Sequence, residues 1–367
     1  MPDVLGKNLS IEIIGQSHSK IIKATLFGMP KGIEINQEVI KNALAKRRPI
    51  LNIDTSRIED DKFNIVSGVK DGFSDGNPFS IEIENNNIKS NDYDDLEYIP
   101  RPGHADYVGY MKYKDEYDFR GGGFFSGRLT SLIVAISSVI IDALEKQNIY
   151  IGTHILKCGN VIDSHIDSLE DIKAINNKRI ALKDNLEQQL EKQINEIKED
   201  HDSIGGITET VIYNVPLGLG DKHFSSCEGL ISKCIFGIGG IKGIEFGDGF
   251  EFANKVGSTA NDEFIIKDGN ISTITNHNGG INGGITNGMP IVFKCVVKPT
   301  PSINKTQRSV NLKTKENVLI NIKGRHDPAI IRRIPIVINS VTALAIFDLY
   351  ISEFGKEVFN KWKKDTE

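Results

Sequence analysis

A chain of 367 residues with 39% hydrophobic content has room for a sizeable core, and its net charge of −5 with a pI near 6.0 argues against nucleic acid or an anionic membrane as the main partner, since both ask for a basic surface. Any anion site must then be built locally. Four scattered cysteines, Cys158, Cys227, Cys234 and Cys295, form no C-x-x-C pair, so buried thiols are expected and neither a disulfide frame nor a metal site, which fits a reducing cytoplasm.

The N-terminus, MPDVLGKNLS, lacks the charged, apolar and small-residue series of a signal peptide, and no apolar run is expected to reach the length of a membrane span. Residues 8–14 and 21–27 read as two strands. Between them lies the polar loop Gly15 to Lys20, whose Ser17 and His18 are candidates for chemistry, with a solvated turn as the plain alternative. Asn36 is placed to cap a helix through Val39, Ile40, Ala43 and Leu44. Lys46, Arg47 and Arg48 complement that helix's C-terminal dipole before Pro49 stops it, and helix-end charge explains the cluster as well as ligand binding does. Strands are expected again at 63–69 and 79–83, followed by an exposed acidic loop at 85–97.

The densest stretch is RPGHADYVGYMKYKDEYDFRGGGFFSGRLT, residues 101–130. It sets His104 between a Pro-Gly turn and Asp106, then runs Arg120 into Gly121, Gly122 and Gly123 before Ser126 and Arg128. Three consecutive glycines are not a core sequence: without Cβ atoms the backbone can take positive φ and approach a ligand closely, and its N–H groups can ring an anion. The apolar spacing from Arg128 to about Gln147 predicts a helix that the glycine loop would open, with its N-terminal dipole favouring phosphate or carboxylate.

Beyond that helix a strand is expected near 149–155, and one amphipathic surface helix over about 168–200, flanked by His165 and His201 as surface residues. A strand, TETVIYNV, and a helix near 224–236 precede two glycine-dense segments at 239–247 and 276–288. The strand IVFKCVV then leads to Lys298-Pro299-Thr300-Pro301-Ser302 and to Gly324-Arg325-His326-Asp327-Pro328. An apolar helix from Ile334 to Phe354 ends the chain's regular structure. No Ser/Pro/Gly linker divides residues 1–367, and hairpin-like connections favour antiparallel sheets, so a single α+β domain is predicted.

Five loops rich in Gly, His, Arg, Lys and Ser point to one composite site for a polyanion. Only eleven of the 44 cationic residues are Arg, and eight of these sit in or beside such segments; the guanidinium fork binds carboxylate and phosphate two bonds at a time, which lysine cannot. His18 and His104 have no apolar periodic context and suit proton transfer. Asp327 sits in a rigid turn beside Arg325, as a base or orienting group or as a plain Asx-turn. No nucleophile elbow, Rossmann fingerprint or P-loop is present.

The ordered set GQSH, RRP, RPGHADY, DFRGGG with S and R following, GIKGIEFGDGF, GGINGGITNG, KPT and GRHDP, from Gly15 to Pro328, closely resembles the chorismate synthase family. The resemblance implies a β-α-β sandwich with helices between two four-stranded antiparallel sheets, assembled as a cytoplasmic homotetramer. It implies a lyase that removes phosphate and a proton from 5-enolpyruvylshikimate 3-phosphate by anti-1,4-elimination to give chorismate. This is the last step of the shikimate pathway to aromatic amino acids. The family requires reduced FMN (FMNH2) without net redox change and is associated with NADP; the chain leaves no room for a reductase domain, so a separate flavin reductant is expected. By motif position His18 would protonate the departing phosphate and His104 the reduced flavin, and Asp327 would assist proton removal. Ser17 and Ser126 would support them by hydrogen bonding. Arg47, Arg48 and Arg128 would hold substrate. Gly123, Phe124, Phe125, Ser126, Gly239, Gly240, Gly283, Lys298, Pro299, Thr300, Pro301, Ser302 and Arg325 would contact the flavin, and no metal is implied.

The chain departs from the family pattern GGGRSSARET, since Phe124, Phe125 and Leu129 replace an Arg, a Ser and a Glu. Gln16 and Ser19 alter GESHG, and Ala329 alters RHDPC. The aromatic replacements motivate an alternative, a catalytically weakened relative that binds flavin or a phosphorylated ligand without turnover.

Overall fold

The structure is a computed structural model that describes residues 1–49, 54, 61–85, 98–322 and 327–363. Two antiparallel sheets enclose a layer of helices. The first runs in the order Asp3–Val4, Ser10–Ile14, Ile21–Phe27, Phe79–Glu84, Phe63–Ser67. The second runs Ile241–Phe246, Ile291–Val297, Gly206–Tyr213, Tyr150–Cys158, Val161–Ile162. Each has four strands of five residues or more and one two-residue edge strand, so the four-stranded expectation becomes five.

The helices are α1 (Gln37–Arg47), α2 (Asp106–Tyr113), α3 (Thr130–Lys146), α4 (Leu169–Asn177), α5 (Glu187–Glu199), α6 (Cys227–Phe236), the short α7 (Gly257–Ala260) and α8 (Ile334–Phe354). Helix α3 packs on the first sheet, where the period-2 residues Ile22, Ala24, Leu26, Phe79, Ile81 and Ile83 all face the core. Helix α8 packs on the second sheet and on α1, α3 and α6. It is apolar all round because it is covered on all sides. Contrary to the sequence expectation, it is long and apolar enough to cross a membrane, yet 94% of its apolar window is buried inside the protein. Its Asp348 carboxylate accepts the backbone N–H groups of Lys7, Asn8 and Leu9 at 2.9, 2.9 and 2.7 Å. That contact ties the first strands to the last helix, and Gly6 is required beside it because a Cβ there would lie 2.2 Å from Asp348 Oδ1.

The charged segment near 168–200 forms two helices, α4 and α5, where one was expected. Ser168 caps α4 in a reciprocal capping box with Asp171, and its C-terminal turn ends at Lys178. Helix α4 lies on the outer face of the second sheet, burying Ile172 and Ile175 with Val211. That cover makes Tyr150–Cys158 a nearly continuous buried strand and encloses a polar cluster. His154, fully buried, has Nδ1 2.9 Å from Asp163 Oδ2 and Nε2 3.3 Å from Glu209 Oε1, and His165 Nδ1 lies 2.5 Å from Glu209 Oε2. His165 is thus exposed, as expected, with Nδ1 in contact with the buried Glu209 carboxylate. All four cysteines are buried and free.

Candidate functional site

The glycine triplet sits where the loops of the two histidines meet. Gly121, Gly122 and Gly123 take φ of +59°, +89° and +52°, a left-handed run that side chains resist. A Cβ on Gly121 would lie 2.4 Å from Ser17 Oγ and 2.8 Å from His18 Cε1, and one on Gly122 would lie 3.2 Å from His104 Nε2. The triplet is therefore a backbone wedge with His18 on one side and His104 on the other. The Gly123 carbonyl accepts the N–H of Ser17 at 3.1 Å, and Ser126 donates its hydroxyl to Ser17 Oγ at 3.2 Å. The triplet does not itself open the helix: residues 124–129 intervene, Ser126 caps the short turn Gly127–Leu129, and α3 begins only at Thr130. Gln16 supports the wedge by donating to Glu116 O at 2.9 Å while accepting from Asp118 N at 3.1 Å. The amide does both, whereas an ionised carboxylate could only accept, so Gln16 has a local reason.

The two histidines are held differently. His18 Nδ1 lies 3.1 Å from the Arg120 carbonyl, which can only accept, so Nδ1 carries the proton there and Nε2 is left as the other ring nitrogen. His104 Nδ1 lies 2.7 Å from Asp106 Oδ1. Burial lowers the His104 pKa below its ordinary 6.5, with Arg101 and Lys298 pushing the same way and Asp106 opposing them. The Asp106 carboxyl is itself held well below the usual range despite burial, because Arg101 and His104 both stabilise its charge.

The arginines face carboxylates. Arg128 bonds Asp61 and, through Nε, Asn85 Oδ1 at 3.3 Å. Arg47 donates to the Gly127 carbonyl at 2.6 Å and to Thr130 Oγ1 at 3.0 Å, with Asp61 at 3.8 Å. This α1 end is thus buried and shared with α3, not a solvated helix terminus. Arg332 pairs with Asp54 and Arg333 with Asp327. Asp327 Oδ1 also accepts the N–H of Ala329 at 3.1 Å, so it forms the Asx-turn and the ion pair together.

These side chains surround a cleft of about 840 Å³. Of the residues singled out in the sequence, His104, Asp327, Ser126, Phe124, Phe125, Gly239, Gly240, Lys298, Thr300, Pro301, Ser302, Arg47, Arg48 and Arg128 line it. His18, Ser17 and Gly123 stand behind its glycine wall. Pro299 is set back against Gly205, and Gly283 lies elsewhere, in the turn of the hairpin Ile281–Asn282 and Ile285–Thr286. Arg325 lies outside the described residues, as does most of the loop expected at 85–97. Sequence reasoning missed Asp61 and Tyr117, counted Arg333 only among the eight arginines near an anion site, and gave Asp106 no role. For Asp106 the signal was available, an acid two residues after a candidate histidine. Asp61 belongs to a run of three acids that nothing local separates.

Residues 9–351 match the family model described as chorismate synthase. The chain is 40% identical over 351 residues to the chorismate synthase of Methanobrevibacter smithii, covering 95% of this chain and 96% of that protein. It is 39% identical over 343 residues to that of Pyrococcus abyssi, covering 94% and 96%. A solved structure titled "Crystal Structure of Chorismate Synthase" superposes with a TM-score of 0.76 at 26% identity, covering 98% of this chain and 97% of that one.

Proposed function

The chain belongs to the chorismate synthase family, and from that premise we propose that the cleft beside the glycine wedge is its reaction site. The enzyme is a lyase that removes phosphate and a proton from 5-enolpyruvylshikimate 3-phosphate by anti-1,4-elimination to give chorismate, with reduced FMN and no net redox change. The observation that supports the site is the glycine turn with His104 on its cleft side, beside Arg48, Arg128 and Lys298, and His18 directly behind it. With the family match running through residues 9–351, no observation favours a relative without turnover.

The cleft fits a flavin together with a phosphorylated substrate. Its volume lies high in the range of about 300–1,000 Å³ usual for small-molecule sites. Phe124 and Phe125 offer half-exposed aromatic faces, Lys298 offers a cation, and Gly239 leaves backbone open with no neighbouring atom closer than 3.9 Å to a Cβ position. When bound, reduced FMN supplies an electron-rich ring that lends an electron and recovers it. The chain's own residues hold charge and move protons. His18 would deliver a proton from Nε2 to the departing phosphate, and His104 would hold or move a proton at Nε2. Asp327, fixed by Arg333 and by its Asx-turn, would assist removal of the substrate proton. Ser17 and Ser126, bonded to each other, would support the wedge. Arg47 and Arg128 would present charge to the substrate anions, with Asp61 keeping the two guanidiniums together.

A projecting hairpin, Phe264–Lys267 with Asn270–Thr273, exposes Phe264, Ile266 and Ile271, and such apolar surface supports assembly as a homotetramer. A separate reductant would supply the reduced flavin, and the four buried free thiols suit a cytoplasmic setting.

Anaerobic incubation with substrate and chemically reduced FMN is expected to release chorismate and phosphate in equal amounts while the flavin stays reduced. Stoichiometric flavin oxidation per chorismate would sink the cofactor role, phosphate alone would indicate a hydrolase, and flavin binding without product a non-turnover relative. A second expectation concerns Phe124, whose ring lies 5.4 Å from that of Tyr113 at the cleft edge. A charged donor to an anion contributes about 1.5–3 kcal/mol, and an aromatic contact returns only about 0.5–1.5 kcal/mol beyond area burial. Phe124→Arg should therefore bind FMN more tightly at low salt, with the advantage shrinking as salt rises. Equal or weaker binding at both salts would place Phe124 away from the flavin.

A further inference from the structure

We propose that Asp106 is a positioning residue for the reaction, selecting the His104 tautomer that leaves Nε2, beside Gly122, as the atom that gains and loses the proton. The proposal rests on His104's role as a proton carrier and adds what sets its state. His104 Nδ1 meets two contradictory partners: Asp106 Oδ1 at 2.7 Å, which only accepts, and Arg101 Nη2 at 3.3 Å, which only donates. The first demands a proton on Nδ1 and the second forbids it. The shorter, charge-assisted contact prevails because Asp106 also occupies the guanidinium, taking Arg101 Nε at 2.6 Å and Nη2 at 2.8 Å. The Arg101 backbone N–H at 3.0 Å and the Tyr117 hydroxyl at 3.0 Å complete the clamp. So held, the carboxylate is ionised throughout the working pH range. The charged groups facing His104 are Arg101 and Lys298, which disfavour its cation, and Asp106, which favours it.

With Asp106→Asn, the Arg101 guanidinium would dominate Nδ1, moving the proton to Nε2 and disfavouring the imidazolium further. The variant is expected to lose about 10²-fold or more in kcat, within the roughly 10²–10⁴-fold typical of proton-transfer groups, with little change in KM. The limb of the kcat profile that falls with rising pH should move toward acid. In a His104→Ala background the same change should cost nothing further in kcat, since it acts only through the imidazole. Tyr117→Phe supplies a variant that keeps the ion pair: removing its hydroxyl leaves more charge on Oδ1 for His104, so the limb should move toward alkaline pH, opposite to Asp106→Asn. Asp106→Asn with parental kcat and pH limb beside an inactive His104→Ala would overturn the positioning role alone. Losses that multiply in the double variant would overturn it too, by showing a merely structural effect. If Asp106→Asn does not fold, an unmoved limb in Tyr117→Phe overturns the proposal. Near-parental kcat in His104→Ala would instead overturn the underlying proton-carrier reading.

Discussion

Replacing His18 or His104 with alanine is expected to lower kcat by about 10²–10⁴-fold while the protein stays folded and keeps its affinity for FMN. Neither imidazole is a packing element. His18 is held through Nδ1 by the Arg120 carbonyl, and His104 lines the cleft wall. Their removal opens space beside the glycine wedge without stranding a core. His104→Ala does leave Asp106 with one donor fewer, but Arg101 and Tyr117 still satisfy it. The pH dependence separates the two residues. The His104 pKa is lowered by burial, Arg101 and Lys298, so its protonated form is lost as pH rises through a value below 6.5. A kcat limb in that acidic region should vanish in His104→Ala and persist in His18→Ala. Steady-state rates with reduced FMN over a range of pH check this, and a variant with near-parental kcat would return that histidine to a supporting role.

The other large effect concerns stability and lies far from the cleft. His154→Gln should destabilise the protein by about 3–5 kcal/mol, because it removes the cation between two buried carboxylates and leaves them mainly backbone N–H donors. The sign of the pH dependence follows from the shifts. The His154 pKa is raised above 6.5 although burial opposes it, since Asp163 and Glu209 both stabilise the imidazolium. Its contribution is therefore full below about pH 6.5 and is lost as pH rises through the folded-state value. The Asp163 and Glu209 pKa values are lowered from 3.8 and 4.5 against the cost of burial, through bonds to His154 and to backbone N–H groups. Their contribution is present above those values and lost as pH falls through the folded-state ones. The cluster is thus most stabilising between roughly pH 4.5 and 6.5. Urea midpoints across pH should show the parent losing stability on the alkaline side and His154→Gln lacking that loss. Parallel profiles would show that the imidazole is not charged in the folded protein. His165, mostly exposed, should matter far less, since solvent screens its pair with Glu209.

Much of this protein was legible in the sequence where the information is local. Asn36 does cap α1, accepting the Glu38 N–H, and the apolar run Ile334–Phe354 forms one helix over the expected residues. The strands at Ser10–Ile14, Ile21–Phe27 and Ile291–Val297 fall where alternation or apolar runs placed them. Such features depend on neighbours three or four residues away, or on whether a face is apolar, and both are written along the chain. The motif order from Gly15 to Pro328 likewise sufficed to identify the family, because loop residues meeting one chemical demand recur at recognisable positions.

What the tertiary structure decided is who faces whom. One charged stretch became two helices because a capping box and the outer face of the second sheet claimed its first half. The glycine triplet, read as the opening of a helix, became a wedge because Ser17 and His18, a hundred residues earlier, press against it. Arg47 and Arg128 carry the same fixed charge in any sequence; only folding sets Asp61 between them and binds their forks to buried partners. Asp106 is one acid among 49 until the Arg101 fork and the Tyr117 hydroxyl close on it and His104 is left to share its oxygen. The family and most of the secondary structure were legible in local pattern, whereas tautomer, ion pairing and proton affinity depend on distances of a few ångströms between distant segments. Those distances exist only once the two sheets have closed on their helices.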